Sequence, residues 1–173
     1  MKTLHLLRHA KSSWKFADLD DHDRPLNKRG KAAAAALAQH LLAGKVRPDL
    51  VLCSTALRAR QTLDPLATAL APRRVILDRA LYSASPQALL KYLRETPEEV
   101  REALLIGHNP ALHELALLLG DPSALARLPG AGDKFPTAAF ASFTLKGTWA
   151  ALRPQTARLA AYLIPPPEAA VGR

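Results

Sequence analysis

The sequence predicts an α/β fold in three layers, α/β/α, with a mostly parallel central sheet and helices on both of its faces. Short apolar runs alternate with stretches of helical periodicity as far as Gly120, which is the pattern of successive β-α-β units. The run at 49–53 is continuously apolar after its first residue, as in a strand that is buried on both faces. The length of 173 residues fits one domain of this kind.

The first part of the chain supplies two strands and two helices. Residues 3–8 form the first predicted strand. An alanine-rich helix is predicted at 27–42, and Gly44 marks its end because glycine tolerates the backbone conformations that close a helix. The strand at 49–53 then leads into a second helix at 57–70.

Two capping patterns mark helix starts in the next part of the chain. Ser85 before Pro86 is typical of an N-cap followed by proline at the first helical position. Thr96 and Glu99 have the spacing of a capping box, which predicts a further short helix. The elements predicted here are strands at 74–78 and 103–107 and helices at 86–94, 96–99 and 110–119.

The last part of the chain is predicted to be strand-rich. After Gly132, strands are predicted at 137–145, near Trp149 and at 158–164, and we expect them to form a hairpin at the edge of the sheet. Three consecutive prolines begin the segment 165–173, which we expect to be a flexible tail. The single domain is therefore expected to span 1–164.

Composition restricts the functions open to the chain. It has 24 lysines and arginines against 15 aspartates and glutamates, a net charge of +9, and so attracts anions such as phosphorylated ligands. Aromatic residues make up only 5% of the chain, which disfavours a nucleic-acid-binding surface. The single cysteine excludes an intrachain disulfide. Because no apolar stretch reaches the ~18 residues of a membrane span, we expect a cytoplasmic protein without membrane contact. We also expect a monomer.

Chemistry-bearing residues follow the ends of the predicted strands. In an open parallel sheet, ligands bind beyond the carboxyl ends of the strands. Arg8 and His9 end the first strand, Arg58 follows the second, and His108 follows the fourth. Arg24, in the first loop, is within reach of the same rim.

Such a set of residues is suited to phosphoryl transfer. The planar guanidinium group of arginine matches phosphate oxygens, and several arginines at one place repel one another unless an anion lies between them. A neutral histidine can accept the phosphoryl group covalently, and a second can donate a hydrogen bond to the developing charge. Nearby arginines disfavour the imidazolium form, so we expect His9 to be neutral near physiological pH.

The same segments resemble the motifs of a known family. Residues 6–14, Leu-Leu-Arg-His-Ala-Lys-Ser-Ser-Trp, look like the Arg-His-Gly signature of the histidine phosphatase superfamily, the phosphoglycerate mutase-like enzymes. Residues 53–63 and 104–110 are similar to the second and third motifs of that family. Residues 24–30 and 135–139 resemble the small SixA-type phosphohistidine phosphatases. The resemblance covers nearly the whole chain, with the motifs in the same order.

The resemblance implies a phosphoglycerate mutase-like fold and a phosphatase that uses neither a metal nor an organic cofactor. By motif, His9 takes the position of the phosphoryl acceptor, and Arg8 and Arg58 take the positions that bind the phosphoryl oxygens. His108 is the second histidine of the pocket. The resemblance also implies two substrate-binding positions, Arg24 in the Arg-Pro-Leu segment and Ser12 in the first motif.

The chain departs from the family at the proton donor. No clear glutamate stands where the larger family keeps its general acid, and Asp78, which lies nearby, can equally serve to end the third strand. The loop 18–23 holds four aspartates, one of which could be the donor. The aspartates of this loop could also suggest a metal site, but the loop lacks the glycine and the glutamate of an EF-hand, which argues against one. Lys11 and Lys15, where mutases prefer acidic or amide residues, argue against mutase activity.

The missing acid favours a substrate whose leaving group is easily protonated. An alkoxide is a poor leaving group without a general acid, whereas the imidazole of phosphohistidine is readily protonated. We therefore expect the protein to remove phosphate from a phosphohistidine of a partner protein. Two alternatives stay open, a phosphatase of a small phosphate ester with the same residues and a non-enzymatic protein that binds anions.

Other reactive residue types are expected to be structural. Cys53 ends an apolar run and is expected to be a core residue. His5 is expected to face away from the rim within the first strand, and His113 to pack in the interior. Trp14 is expected to anchor its loop, with a place at the edge of a substrate groove as the alternative.

Overall fold

A mixed sheet forms the centre of the computed structural model, which describes residues 1–130, 132 and 134–165. Its strands are β1 (Lys2–Arg8), β2 (Leu50–Ser54), β3 (Arg74–Asp78), β4 (Glu102–Gly107), β5 (Phe140–Leu145) and β6 (Ala157–Leu163). They lie in the order β3-β2-β4-β1-β5-β6. Residues 166–173 of the predicted tail lie outside the described residues.

The pairing of the strands confirms a mostly parallel sheet with a hairpin at one edge. β1 pairs in parallel with β4, and β2 pairs in parallel with both β4 and β3. β5 runs antiparallel to β1 and to β6, which forms the outer edge. In this register Arg8 lies opposite Gly107, and Ser54 lies opposite Asp78. The residues that follow β1, β2 and β4 therefore emerge at one rim.

Helices cover both faces of the sheet. They are α1 (Lys28–Ala43), α2 (Leu57–Leu70), α3 (Pro86–Arg94), α4 (Ala111–Leu119) and α5 (Pro122–Ala126). Because side chains alternate along a strand, Leu104 of β4 packs with α1 and α2, while Leu105 packs with α3 and α4. The two buried clusters give the three layers predicted. Among the described helices, none has the length and apolar composition that crossing a membrane requires.

The predicted N-caps lie at the starts of α1 and α3. The side chain of Asn27 accepts a hydrogen bond from the Gly30 N–H at 2.8 Å. Ser85 Oγ accepts one from the Ala88 N–H at 3.1 Å, with Pro86 at the first helical position. Each cap satisfies a backbone N–H that has no partner within its helix. The local sequence therefore determines where these two helices begin.

The prediction of a short helix at 96–99 is wrong, because no helix forms there. The chain makes a single turn here, in which the Val100 N–H donates to the carbonyl oxygen of Pro97 at 3.0 Å. Glu98 accepts a hydrogen bond from the Trp149 N–H at 2.8 Å. The chain then enters β4 at Glu102, so contacts with distant residues outweigh the local helix preference.

The prediction of a strand near Trp149 is also wrong. Trp149 lies in a turn with its indole fully buried, and Nε1–H donates to the carbonyl oxygen of Val100 at 2.8 Å. The strand predicted at 137–145 starts only at Phe140, because Ala138 has a φ of 60° and strands need negative φ.

Helix α5 forms where no helix is predicted, with Asp121 capping its first turn.

Gly30, in the first turn of α1, lets this helix lie directly against the backbone of Lys11. A Cβ atom at position 30 would lie 2.1 Å from the Lys11 carbonyl oxygen. We expect Gly30→Ala to lower the free energy of unfolding by about 2 kcal/mol, because backbone on both sides must shift. Chemical denaturation measures this, with Gly44→Ala as the control, since its nearest neighbouring atom lies 3.4 Å away. Equal small losses in both variants would contradict the prediction.

Candidate active site

The four catalytic candidates meet at the rim where the parallel strands end. Arg8 is the last residue of β1, His108 directly follows β4, and Arg58 lies in the first turn of α2. Arg58 Nε lies 3.3 Å from His9 Nε2. The ring centroids of His9 and His108 are 5.1 Å apart. The fold thus gathers two arginines and two histidines that are distant in sequence.

His9 is held as a neutral imidazole. Its Nδ1 lies 2.7 Å from the Ala10 carbonyl oxygen, so Nδ1 carries the proton and Nε2 keeps its lone pair. Burial is the largest influence on its ionisation. The hydrogen bond to the Ala10 carbonyl oxygen raises the pKa of His9. Burial and the positive charges around the ring, those of Arg58 and Arg8 included, outweigh this hydrogen bond and lower the pKa of His9 to about 3. Nε2 is therefore available as a nucleophile.

Ser54, the last residue of β2, orients His108. Its Oγ lies 2.7 Å from His108 Nε2 and accepts a hydrogen bond from the Ala56 N–H at 3.2 Å. The hydroxyl proton can then be donated to Nε2, which leaves the imidazole proton on Nδ1. Burial, followed by the charge of Arg58, lowers the pKa of His108 to about 4, so the ring is a neutral donor.

Arg8 and His108 each offer a buried donor at the rim. Arg8 Nη1 donates to the carbonyl oxygen of Phe135 at 2.6 Å, and Asn109 Nδ2 donates to the same oxygen at 2.7 Å. Arg8 Nε and His108 Nδ1 are buried without a hydrogen-bond partner among residues 1–130, 132 and 134–165. Burial and then the charge of Arg58 lower the pKa of Arg8. Unsatisfied donors and neighbouring positive charges are both stabilised by a bound oxyanion.

Asp21 joins two of the predicted arginines. Its Oδ1 accepts a hydrogen bond from Arg24 Nε at 3.0 Å, and its Oδ2 accepts one from Arg58 Nη2 at 2.9 Å. The Tyr82 hydroxyl donates to Oδ2 at 2.5 Å. Desolvation opposes ionisation, but the hydrogen bonds from Tyr82 and Arg58 outweigh it and hold the pKa of Asp21 well below its usual range. Asp21 is therefore an anion that positions Arg24 beside Arg58.

The remaining predicted positions lie in the loop after β1. Arg24 Nη1 donates to the Ser13 carbonyl oxygen at 3.3 Å, and the Trp14 ring lies 3.5 Å from Arg24 Cζ. The prediction that Trp14 anchors the loop is wrong, because the ring is 78% exposed and stacks on Arg24 from outside. Ser12 is buried and forms a backbone bridge with Leu26. Across the described hydrogen bonds none joins Ser12 to the histidines or arginines of the rim, and its role stays a prediction.

The residues expected to be structural lie in the interior. Burial raises the pKa of the Cys53 thiol to about 12, which leaves it unreactive. His5 stacks on Phe140 within the sheet. His113 is buried and packs against Phe135.

The aspartate-rich loop does not assemble a metal site. Asp21 is bonded to two arginines, and Asp23 Oδ1 lies 3.1 Å from His22 Nδ1. Throughout the described part of the chain, no three side chains of metal-ligating type come together as a candidate cluster.

Three residues of the site were missed or left without a role by reasoning from the sequence. Ser54 was visible as the residue that ends a predicted strand, but no sequence pattern links it to His108. Asp21 was one of four equivalent aspartates in a loop. Tyr82 had no signal, because its contact with Asp21 joins residues that are 61 positions apart.

Replacing Ser54 by alanine tests whether this hydroxyl positions His108. We expect Ser54→Ala to lower kcat by about tenfold with little change in KM, because a hydrogen bond of about 1–1.5 kcal/mol holds the ring in place. Steady-state kinetics measure the effect, with the exposed Ser123→Ala as the control. Ser54→Thr keeps the hydroxyl and should recover part of the rate. A full rate in Ser54→Ala would contradict the positioning role.

The lowered pKa values of His9 and His108 can be measured directly. An ordinary histidine, with a pKa of about 6.5, becomes mostly protonated between pH 7 and pH 5. Because burial lowers these two pKa values to about 3 and about 4, we expect both rings to stay neutral over this interval. Nitrogen NMR of ¹⁵N-histidine-labelled protein reports the protonation of each ring, with His9→Asn and His108→Asn for assignment. A midpoint near 6.5 for either ring would contradict the prediction.

The fold and the site together are suited to phosphoryl transfer, because a neutral histidine lies beside Arg58 and close to the buried, unpartnered donors Arg8 Nε and His108 Nδ1 of the described structure. The sequence profile of the histidine phosphatase superfamily (branch 1) matches residues 4–104. The chain belongs to this superfamily and is a histidine-nucleophile phosphatase with a phosphoglycerate mutase-like fold.

Similar proteins match most of the length of the chain. An uncharacterised protein of Mycobacterium tuberculosis is 36% identical over 163 residues, which cover 92% of this chain and 99% of the relative. The structure assigned as the phosphohistidine phosphatase SixA of Agrobacterium tumefaciens is 32% identical with a TM-score of 0.80, covering 95% of this chain and 98% of the other. The protein histidine phosphatase SixA in complex with tungstate is 27% identical with a TM-score of 0.76, covering 94% and 97%.

Proposed function

We propose that this phosphatase removes phosphate from phosphohistidine residues of a partner protein. The observation that carries the proposal is the set of hydrogen bonds that hold two carboxyl groups ionised, those of Asp78 and of Asp21, the loop aspartate that contacts the arginines of the site. A general acid must hold a proton near the working pH. Neither carboxyl group meets this condition.

Asp21 and Asp78 are both held as carboxylates. Hydrogen bonds from Tyr82 and Arg58 keep the pKa of Asp21 low, as described above. Asp78 accepts hydrogen bonds from the Ala80 N–H and the Tyr92 hydroxyl, each at 2.8 Å, and these lower its pKa in that order. Asp78 therefore caps the turn after β3, and Asp21 positions arginines.

A substrate that needs little acid catalysis suits such a site. The leaving group of an alkyl phosphate is an alkoxide, which departs slowly unless an acid protonates it. The leaving nitrogen of phosphohistidine takes a proton readily from solvent. The structural relatives named as SixA phosphohistidine phosphatases support the same substrate class.

In the proposed reaction His9 carries the phosphoryl group. The lone pair of His9 Nε2 attacks phosphorus, the phosphorus–nitrogen bond of the substrate breaks, and the leaving imidazole takes the bonding pair and a proton from solvent. A water oxygen then attacks phosphorus, and the bond to Nε2 breaks with its electron pair returning to His9. One proton of the water stays on the phosphate, which leaves, and the other proton passes to solvent.

The surrounding donors stabilise the charge on the phosphoryl oxygens. Arg8 Nε and His108 Nδ1, which are buried without partners in the described structure, are suited to bind these oxygens. Arg58, next to His9 Nε2, is placed to stabilise the negative charge on the oxygens of a phosphoryl group bound to that nitrogen. Arg24 and Ser12 are proposed as further substrate contacts at the edge of the pocket. A structural relative, the protein histidine phosphatase SixA, forms a complex with tungstate, and tungstate is a tetrahedral oxyanion like phosphate, which supports an oxyanion as the ligand.

Phosphate release from substrates with different leaving groups tests the proposal. The substrates are a histidine-phosphorylated protein, an aryl phosphate and an alkyl phosphate, each assayed with EDTA present. We expect kcat/KM to be highest for the phosphorylated protein and lowest for the alkyl phosphate. The expected ratio between these two is at least about 10², the contribution of a missing general acid.

The outcomes separate the substrate classes. Release from phosphohistidine that vanishes in His9→Ala supports the proposal. Activity confined to the esters contradicts it and makes a small phosphate ester the substrate.

A further inference from the structure

A groove beside the proposed phosphoryl site has a carboxylate on its wall. Its volume is about 380 Å³, which is within the range of ligand pockets and large enough for one or two side chains. The lining residues that matter here are Leu81, Tyr82, Leu89, His108, Ala111 and Glu114.

The groove adjoins the proposed reaction centre at His108. The His108 ring centroid lies 5.1 Å from that of His9 and 5.3 Å from that of Tyr82. His108 and Tyr82 both line the groove. A substrate whose phosphoryl group lies at His9 therefore has the groove next to it, on the side of His108.

The groove combines an apolar floor with one charged group. Leu81 and Leu89 are buried and give the groove an apolar part, called here its floor. Glu114, in the first turn of α4, is exposed and is the acidic residue of the lining. None of the ion pairs within the described residues engages Glu114. A groove that is lined by buried leucines and by a carboxylate outside the described ion pairs suits the aliphatic stem and cationic head of lysine or arginine.

We propose that this groove binds a basic side chain close in sequence to the phosphohistidine of the substrate, with Glu114 pairing with its charge. The inference rests on the proposed function and adds to it a sequence preference. It makes Glu114 a specificity-determining residue that takes no part in the chemistry. The preference is notable in a chain of net charge +9, which otherwise repels basic substrates.

Peptides of defined sequence test the inference. The probes are short peptides phosphorylated on one histidine, with lysine or glutamate placed in turn at each of the flanking positions, together with free phosphohistidine. We expect the wild type to prefer lysine to glutamate at one or more positions by about threefold to fivefold in kcat/KM, as for a solvent-accessible ion pair. Glu114→Gln should lose the preference, and Glu114→Lys should reverse it. Turnover of free phosphohistidine should stay unchanged in both variants.

A matched control separates the groove from net charge. Glu99 is exposed and precedes β4, at the opposite end of the sheet from the rim, so Glu99→Lys makes the same change of charge far from the groove. An equal shift of preference in Glu99→Lys overturns the inference, and so does a wild type that does not discriminate. If the wild type releases phosphate from an aryl phosphate but from no phosphohistidine probe, the proposed function itself fails and the inference fails with it.

Discussion

His9→Ala is expected to lose turnover on every substrate while keeping its fold. The variant removes the Nε2 lone pair, and no other neutral imidazole in the described structure is in contact with Arg58 Nε. We expect kcat to fall by at least about 10⁴-fold, as when a covalent nucleophile is removed. The fold should persist, because the described hydrogen bonds of the His9 side chain are two, one to the neighbouring Ala10 carbonyl oxygen and one from Arg58 Nε.

Phosphoenzyme trapping makes this test specific to the nucleophile. After a short reaction with ³²P-labelled substrate and an alkaline quench, the wild type should carry an acid-labile label, and His9→Ala should carry none. The exposed His40→Ala is the matched control and should be labelled like the wild type. Label in His9→Ala, or substantial residual turnover, would show that another group accepts the phosphoryl group.

Arg58→Ala has the second-largest expected effect. Arg58 is 5% exposed and touches both the nucleophile and Asp21, through Nε to His9 at 3.3 Å and through Nη2 to Asp21 at 2.9 Å. Its loss removes a charged transition-state contact and releases the carboxylate that holds Arg24. We expect kcat/KM to fall by about 10²–10³-fold, or about 3–4 kcal/mol.

Two further variants show which property of Arg58 matters. Arg58→Lys keeps the charge without the planar fork, so we expect it to recover only part of the loss. Arg60→Ala removes an exposed arginine from the same helix and should leave kcat/KM within about twofold, as surface substitutions do. A change under twofold in Arg58→Ala would place this residue outside the pocket.

Local patterns in the sequence predict the elements of this fold well where nearby residues supply the stabilising contacts. Asn27 and Ser85 cap their helices through side-chain hydrogen bonds to residues three positions later. Thr96 and Glu99 carry an equally good local signal, yet no helix forms. There, Glu98 accepts a hydrogen bond from Trp149, 51 residues away, and the chain turns directly into β4.

The grouping of the catalytic candidates is predictable for a simple topological reason. Residues that follow parallel strands of one sheet must emerge at the same rim, so His9 and His108 approach each other without any knowledge of side-chain packing. The resemblance to the histidine phosphatases then supplied the role of each residue. Neither source could indicate the partners that orient these side chains.

Taken alone, the amino-acid sequence determined the α/β class, the order of most elements and the rim at which the chemistry collects, because these depend on periodicity, short-range capping and strand order. The family followed from the resemblance of its motifs to those of the histidine phosphatases. Only the tertiary structure decided that Ser54 orients His108, that the Phe135 carbonyl holds Arg8, and that Asp21 is ionised. These contacts join residues 54, 127 and 61 positions apart, the last of them between Asp21 and Tyr82. The state of a titratable group is set by burial and by the charges packed around it, and both arise only when the chain has folded.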